Sequence, residues 1–250
     1  MKPVLRLMVF ANLLALFACA NAEYYVRFLG RTPNWFDPTN WSTGRVPDRD
    51  ANVFIAGNSR VVIDPALGSS IVAIRSLELR GNAILETRPG TEFSSENESI
   101  GGNSQLLFHS STSTGGSTEV GPGLVSTNPT TQSMRTYVLK SSATLVIGLG
   151  GTEPATLTHT GAGTYATINA EDLEVGGELQ ISLHNGFRPR SGHVFRIMSS
   201  SGRMTGQFRG LRNGAMVARF GNVGLFIQYG VPNPTTQTRE HILLARQVGL

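Results

Sequence analysis

Basic residues supply most of the charge in the C-terminal part of this sequence. Residues 180–250 contain nine arginines and one acidic residue, Glu240, whereas residues 23–179 contain 10 basic and 16 acidic residues. Such a surface attracts an acidic polymer or the acidic half of a second copy of the chain; the alternative is a solvated face on which arginine replaces lysine. The candidate anion-binding residues are Arg188, Arg190, Arg196, Arg203, Arg209 and Arg212.

Two tryptophans, Trp35 and Trp41, lie in a segment rich in Asn, Asp and Pro. Exposed indole rings would form a stacking platform for a sugar, and buried ones would cover an open end of the core. The packed cap is the favoured interpretation, and the sugar platform is the alternative.

Acid–base and metal chemistry have few candidates. Asp48 and Asp50 are two residues apart, so on a strand they would share a face and could bind calcium or act as an acid–base pair; a turn that caps the next strand is favoured. The histidines lack the spacing of a metal site; they are His109, His159, His184, His193 and His241. A Ser–His–Asp triad stays open, since its members need not be close in sequence. We expect no cofactor, metal or catalytic set.

Two sequons for N-linked glycosylation are present, at Asn40 and Asn97. If the source is eukaryotic, Asn97 is the expected acceptor because its surroundings indicate a polar loop. The tryptophan that follows Asn40 makes that site the weaker one.

The first 22 residues have the features of a secretory signal peptide. Lys2 and Arg6 precede an apolar run, and Ala20-Asn21-Ala22 is a small-residue cleavage site. Cleavage there leaves Glu23 first and removes Cys19, the only cysteine, and no later segment is apolar enough to span a membrane. The prediction is a secreted or cell-surface protein whose acidic partner is a glycan rather than nucleic acid. A lipid anchor on Cys19 is the alternative.

Short alternating apolar segments, separated by Gly, Asn and Pro, predict a chain of β-strands. They cover residues 24–32, 50–55, 60–64, 71–74, 76–79, 83–85 and 136–149. Residues 94–133 are rich in Ser, Thr and Gly, and only 105–108 and 120–125 indicate strands there; we expect irregular structure with a loop.

An internal repeat aligns Leu77–Leu85 with Leu173–Ile181 without a gap. In each copy two alternating apolar residues precede a glycine and two follow it, which is the pattern of one turn of a β-solenoid. The predicted inward positions are Leu77, Leu79, Ala83 and Leu85, and Leu173, Val175, Leu179 and Ile181.

The C-terminal region contains a hairpin signal. Residues 215–220 and 224–229 alternate on either side of Gly221-Asn222. Pro232 and Pro234 then indicate a linker, and residues 239–248 predict a short helix.

Two segments resemble known families of surface β-helix. Asn40-Trp41-Ser42, Val53–Ile55 and Leu77–Gly81 resemble the eight-glycine extracellular domain and related bacterial surface proteins. A longer series is similar to the closing segment of autotransporter-type passenger domains. It consists of Thr144–Thr152, Asp172–Gly177, Leu179–Leu183, Gly186-Phe187-x-Pro189, Gly192-x-x-Phe195, Thr205-Gly206-x-Phe208 and Leu225–Tyr229.

The resemblance implies an all-β fold, a right-handed parallel β-helix of short turns. The expected organisation is a signal peptide at 1–22, a β-solenoid at 23–230 with an N-terminal cap and an irregular part at 94–133, and a linker and tail at 231–250. The expected function is structural or adhesive and non-enzymatic, with self-association as one outcome. A carbohydrate-binding protein that uses the arginine face or the tryptophans is the alternative, and a polysaccharide-degrading enzyme is the third.

Overall fold

The computed structural model describes residues 24–109, 112–121, 123–127, 130–156 and 163–249. The predicted signal peptide, with Cys19 and the cleavage site before Glu23, lies outside these residues. The described residues form 21 strands and no α-helix, so the prediction of an all-β chain is confirmed. The strands are β1 Tyr24–Arg27, β2 Ala51–Ile55, β3 Arg60–Ile63, β4 Ile71–Ala73, β5 Ser76–Leu79, β6 Ile84–Thr87, β7 Glu92–Ile100, β8 Ser104–Phe108, β9 Thr112–Val120, β10 Gly123–Thr127, β11 Thr131–Leu139, β12 Thr144–Leu149, β13 Gly151–Pro154, β14 Gly163–Tyr165, β15 Thr167–Val175, β16 Glu178–Leu183, β17 Val194–Ser200, β18 Met204–Gly206, β19 Met216–Phe220, β20 Val223–Asn233 and β21 Thr238–Gln247.

The strands form two curled sheets. The larger one has the order β1-β2-β5-β7-β9-β11-β15-β17-β21-β20-β19, with β4 beside β7 and β18 beside β15. The smaller one has the order β13-β14-β12-β10-β8-β6-β3, with β16 beside β12. From β2 to β15 in the larger sheet and from β3 to β12 in the smaller one, neighbouring strands are not consecutive in the chain, because the chain passes to the other sheet between them.

Pairing is parallel from β1 to β17 in the larger sheet and from β3 to β12 and β16 in the smaller one. Successive repeats therefore place equivalent residues side by side. One ladder of buried aliphatic residues consists of Ile55, Leu79, Ile100, Val120, Leu139 and Val175. The facing ladder consists of Val61, Leu85, Leu106, Val125, Leu145 and Leu179. Each such side chain contributes about 1.5–3 kcal/mol by leaving water.

The predicted repeat is correct in its first half and shifted in its second. Leu79 and Val175 share a ladder, but Leu179 lies in the ladder of Leu85 rather than beside Ala83. The last turn is shorter because Gly176 and Gly177 pass close to the turn before them. A Cβ on Gly177 would lie 2.4 Å from the carbonyl oxygen of Ala143. Ile181 still faces the core, in register with the buried Ile147, but it is only half-buried because β16 has a partner strand, β12, on one side only.

The Ser/Thr-rich part from 94 to 133 is more regular than predicted. β7, β9 and β11 pair in parallel through it, and β8 and β10 continue the smaller sheet. The prediction of one strand over 120–125 is wrong, since Val120 ends β9 and Gly123 begins β10. Serine and threonine can form strands here because the strands on either side supply both the hydrogen-bond partners and the apolar contacts.

A ladder of asparagines accompanies the turns of the first repeats. Asn82 Nδ2 donates to Asn58 Oδ1 at 2.7 Å, and Asn103 Nδ2 donates to Asn82 Oδ1 at 3.3 Å. The glycine before each asparagine has a positive φ. A Cβ on Gly102 would lie 2.7 Å from the backbone nitrogen of Gly81, so these turns stack without room for a side chain.

The N-terminal segment covers the open end of the first repeat. Phe28 forms an antiparallel bridge to Trp41, and Asn34 forms a parallel bridge to Val62 on the free edge of β3. Trp35 and Trp41 fill the core between these contacts. Their ring centroids are 4.8 Å apart, and Trp41 Nε1 donates to the carbonyl oxygen of Trp35 at 2.7 Å.

The C-terminal end changes to antiparallel pairing. The predicted hairpin of 215–229 is confirmed as β19 and β20, and β20 pairs with β21, which pairs with β17. The prediction of a helix over 239–248 is wrong, because β21 occupies Thr238–Gln247. Its central residues lie between two strands and are buried on both faces, so they form a continuous apolar run that resembles a helix in sequence. Residues 231–233 and 238–247 thus belong to the sheet, with a turn at 234–237, instead of the predicted linker and tail.

Candidate anion-binding site

The predicted arginines have different partners. Arg196 Nε lies 2.9 Å from Glu240 Oε2, and Arg209 NH2 lies 2.9 Å from Glu178 Oε2. Arg219, outside the predicted set, donates to two backbone carbonyl oxygens. The remaining predicted arginines, Arg188, Arg190, Arg203 and Arg212, are exposed and make no ion pair within the described residues. Arg188 and Arg190 lie together in a depression of the surface.

A tight turn follows β16 and leads to these two arginines. Asn185 and Gly186 have φ values of 52° and 71°, and the Phe187 N–H donates to the His184 carbonyl oxygen at 2.9 Å. Consecutive positive φ values of this kind are typical of a two-residue turn with an Asn-Gly sequence. The turn orients the residues from Phe187 onward.

The loop from Phe187 to His193 is held on both sides. Pro189 is buried between the exposed Arg188 and Arg190, so the two guanidinium groups extend from the same side of the chain. The Gly192 N–H donates to the Ala245 carbonyl oxygen on β21, and the Ala245 N–H donates to the His193 carbonyl oxygen, both at 2.9 Å. The loop is fixed to the C-terminal strand.

Two aromatic rings form the floor beside the arginines. The rings of Phe187 and His193 are nearly parallel, at 13°, with centroids 6.0 Å apart. Phe187 also packs edge-on against the buried Phe195 at 6.1 Å. His193 Nδ1 accepts a hydrogen bond from the Arg190 N–H at 3.2 Å, so in the neutral ring the proton is on Nε2.

The depression has a volume of about 400 Å³ and is lined by Gly186, Phe187, Arg188, Arg190 and His193. No acidic residue occurs between Glu178 and Glu240, and both of these carboxylates are paired with arginines. The depression therefore combines uncompensated positive charge with an aromatic floor. The phenylalanine and the histidine were not predicted as binding residues; the sequence signal was Arg-Pro-Arg between Gly186 and Gly192.

A second open depression, of about 460 Å³, crosses β11, β15 and β17. Ser133, Asn169 and Ser199 are neighbours in register across these strands. Arg135 Nε lies 3.9 Å from Glu171 Oε2, with both side chains exposed. This groove is polar, but its arginine and its carboxylate face each other.

The other predicted sites have structural roles. Trp35 and Trp41 are 0% and 1% exposed, which leaves no ring face for a sugar, so the packed cap is the correct interpretation. Asn40 is buried and donates to Thr32 Oγ1 and the Asn34 carbonyl oxygen, which excludes it as a glycan acceptor in the folded chain. Asn97 is exposed, but it lies within β7 rather than in a loop.

Asp48 acts as a turn residue, since its Oδ1 accepts from the Asp50 N–H at 3.1 Å and its carbonyl oxygen accepts from the Ala51 N–H at 2.9 Å. This contact caps the start of β2, as the turn interpretation predicted. No geometry for an acid–base pair is formed by these two carboxylates.

His109 directly follows β8 and His184 directly follows β16, two strands of the smaller sheet. His184 Nε2 is 2.8 Å from Ser182 Oγ, and no carboxylate of the described residues contacts this ring, so the Ser–His pair lacks the acid of a triad. His109 Nε2 is 3.7 Å from Glu86 Oε1. Burial lowers the pKa of both histidines. Glu86 is itself buried and bound by Arg60 at 2.6 Å and Arg88 at 2.9 Å.

His241 is buried, and burial lowers its pKa to about 4. His159 lies outside the described residues. Within the described ranges, no cluster of His, Cys, Asp and Glu has the geometry of a metal site.

Searches of protein-family models, of curated proteins and of solved structures find no match to this chain. In the described part of the chain, no helix has the length and the apolar character needed to cross a membrane.

Proposed function

We propose that this chain is a secreted, non-enzymatic β-helix that works as a structural or adhesive protein at the cell surface or in the extracellular matrix. The observation that carries the proposal is the pair of aliphatic ladders, in which each repeat pairs in parallel with the next. In this architecture the core side chains pack between successive repeats, and the outer faces are available for contact with other molecules.

The proposal also includes the handedness of the coil and the route of export. Parallel strands joined by a crossover are right-handed in nearly all proteins, which favours a right-handed coil. The resemblance to autotransporter-type passengers and to the eight-glycine domain agrees with that coil. The signal peptide at 1–22 supplies the route to the exterior, with Cys19 as the alternative lipid anchor.

Expression of the full chain in a secreting host tests this proposal. We expect the protein in the extracellular or surface fraction with Glu23 at its N-terminus, and no release of reducing or unsaturated ends from polysaccharides. Retention of residues 1–22 in an intracellular product, or polysaccharide cleavage that survives purification, would overturn it. A lipid-linked Cys19 at the N-terminus would support the surface location and replace the cleavage site.

A second candidate is an extracellular carbohydrate-binding protein. The observation that favours it is the depression with Arg188 and Arg190 above the Phe187 and His193 rings. The other predicted arginines are either paired or isolated on the surface. Retention of the protein on immobilised acidic polysaccharide, decreasing with salt, tests this candidate.

A further inference from the structure

We propose that the Phe187–His193 loop, which comprises Phe187, Arg188, Pro189, Arg190 and His193, binds a carboxylate-bearing sugar chain, that is, an oligouronide. This inference rests on the carbohydrate-binding candidate and deepens it by assigning one site and one ligand class. The charge of the loop, its aromatic residues and its backbone hydrogen bonds support this assignment.

The charge of the loop selects an anion. Arg188 and Arg190 make no ion pair within the described residues, and the first acidic residue on each side of them in sequence, Glu178 or Glu240, is engaged by Arg209 or Arg196 respectively. A guanidinium group presents a planar fork of donors that matches the two oxygens of a carboxylate. Two such forks on the same side of the chain match a polymer with one carboxylate on each sugar.

The floor of the loop selects a ring. The Phe187 side chain is half-buried, and its edge-on contact with Phe195 fixes its orientation. A flat apolar surface beside convergent polar donors is typical of binding sites for small cyclic ligands. In the neutral His193 ring, the Nε2–H can donate a hydrogen bond to a sugar hydroxyl.

The loop is rigid before any ligand arrives. The Asn185-Gly186 turn, the buried Pro189 and the two hydrogen bonds to Ala245 hold the backbone of both arginines in position. A ligand therefore loses little affinity to ordering of the backbone.

Titration calorimetry on the protein from a secreting host tests the site. The probe is a short oligogalacturonate without added divalent cations, and its methyl ester is the matched neutral probe. We expect binding of the acid form alone, with a loss of affinity of about tenfold or more in Arg188→Gln/Arg190→Gln and in Phe187→Ala. The control Arg203→Gln/Arg212→Gln removes the same charge from exposed arginines outside the loop, and its affinity should stay within about twofold of wild type. Circular dichroism and thermal unfolding verify that each variant folds.

The results that would contradict the inference differ in which part of it they overturn: the site, the ligand class or carbohydrate binding itself. Equal losses in both arginine pairs, or loss only when residues of the second depression such as Arg135 are changed, would overturn the loop site and leave carbohydrate binding in place. Binding of a sulfated oligosaccharide but not of the uronide would overturn the ligand class alone. Absence of binding to any acidic glycan would overturn the inference together with the carbohydrate-binding candidate.

Discussion

At the level of single residues, His241 places an ionisable ring inside the C-terminal core. Its Nδ1 accepts a hydrogen bond from the Gly230 N–H at 3.2 Å, and its ring packs against Tyr229 with centroids 4.9 Å apart. Burial lowers its pKa to about 4 from the ordinary 6.5. The unfolded chain therefore binds a proton at this residue in a pH range where the folded chain does not.

We expect His241 to make the folded chain less stable in mild acid. Its contribution to the free energy of unfolding is fully present above pH 6.5 and is lost as the pH falls toward 4, by about 3 kcal/mol over this window. In His241→Gln, whose amide oxygen can accept the same hydrogen bond, this part of the pH dependence should disappear. Urea unfolding of the wild type and of His241→Gln at several pH values measures it. An unchanged pH slope in His241→Gln would contradict the assignment.

Trp41 holds the N-terminal cap through both its volume and its indole N–H. In Trp41→Phe the hydrogen bond to the Trp35 carbonyl oxygen is lost and a void remains, so the free energy of unfolding should fall by about 1–3 kcal/mol. Oligogalacturonate affinity should not change, because the ring is buried. Tyr25→Phe is the matched control, since Tyr25 is 79% exposed. If Trp41→Phe weakened sugar binding and left stability intact, the cap assignment would be wrong.

At the level of elements, the turn before β16 shows how close packing sets chain length. A Cβ on Gly177 would meet the carbonyl oxygens of Ala143 at 2.4 Å and Lys140 at 2.9 Å. Both are backbone atoms, which cannot move aside as a flexible side chain can. The glycine pair thus permits a shorter turn and sets the register of β16 against β12.

Gly177→Ala should lower the free energy of unfolding by about 1–3 kcal/mol, because the turn must move away from its neighbour. Gly121 provides the control, since it lies in the equivalent turn of an earlier repeat and its Cβ would be 3.4 Å from the nearest atom. Thermal or urea unfolding of the two variants gives the comparison. Equal stability of both would show that the close approach at Gly177 has no energetic consequence.

The sequence was most informative where short apolar strands alternate. β2, β3 and β5 were predicted because their inward residues are aliphatic and their ends carry Gly, Asn or Pro. β9 was missed because its threonines and serines provide no periodic signal, although neighbouring strands supply its partners. The sequence of β21 predicts a helix because burial on both faces removes the alternation that marks a strand.

The candidate site was predicted only in part. Arg188 and Arg190 were identified by charge, but so were Arg196 and Arg209, whose carboxylate partners are distant in sequence and become visible only in the fold. The tryptophans are compatible with both a sugar platform and the favoured packed cap, and their burial decides for the cap. Phe187 and His193 had no pattern of their own.

At the level of the whole molecule, the ladders form a scaffold with a distinct structure at each end. Residues 28–41 cover the first repeat with aromatic side chains, and the antiparallel strands β19 to β21 follow the last. Such covers block edge-to-edge strand pairing, so the outer faces and loops are the expected contact surfaces. The charge division between residues 23–179 and 180–250 then places the Phe187–His193 loop in the basic part of the chain.

Parallel stacking of successive repeats in register is the central claim, and disulfide trapping tests it most directly. In a Cys19→Ser background, Asn58→Cys/Asn82→Cys places two cysteines in the turns of adjacent repeats, about 4.8 Å apart and within reach of a disulfide. Asn58→Cys/Asn103→Cys places the two cysteines two repeats apart, beyond that reach. We predict an intramolecular disulfide, seen by mass spectrometry after mild oxidation, in the first variant and none in the second. The opposite pattern, or no disulfide in a folded Asn58→Cys/Asn82→Cys protein, would contradict the stacked architecture.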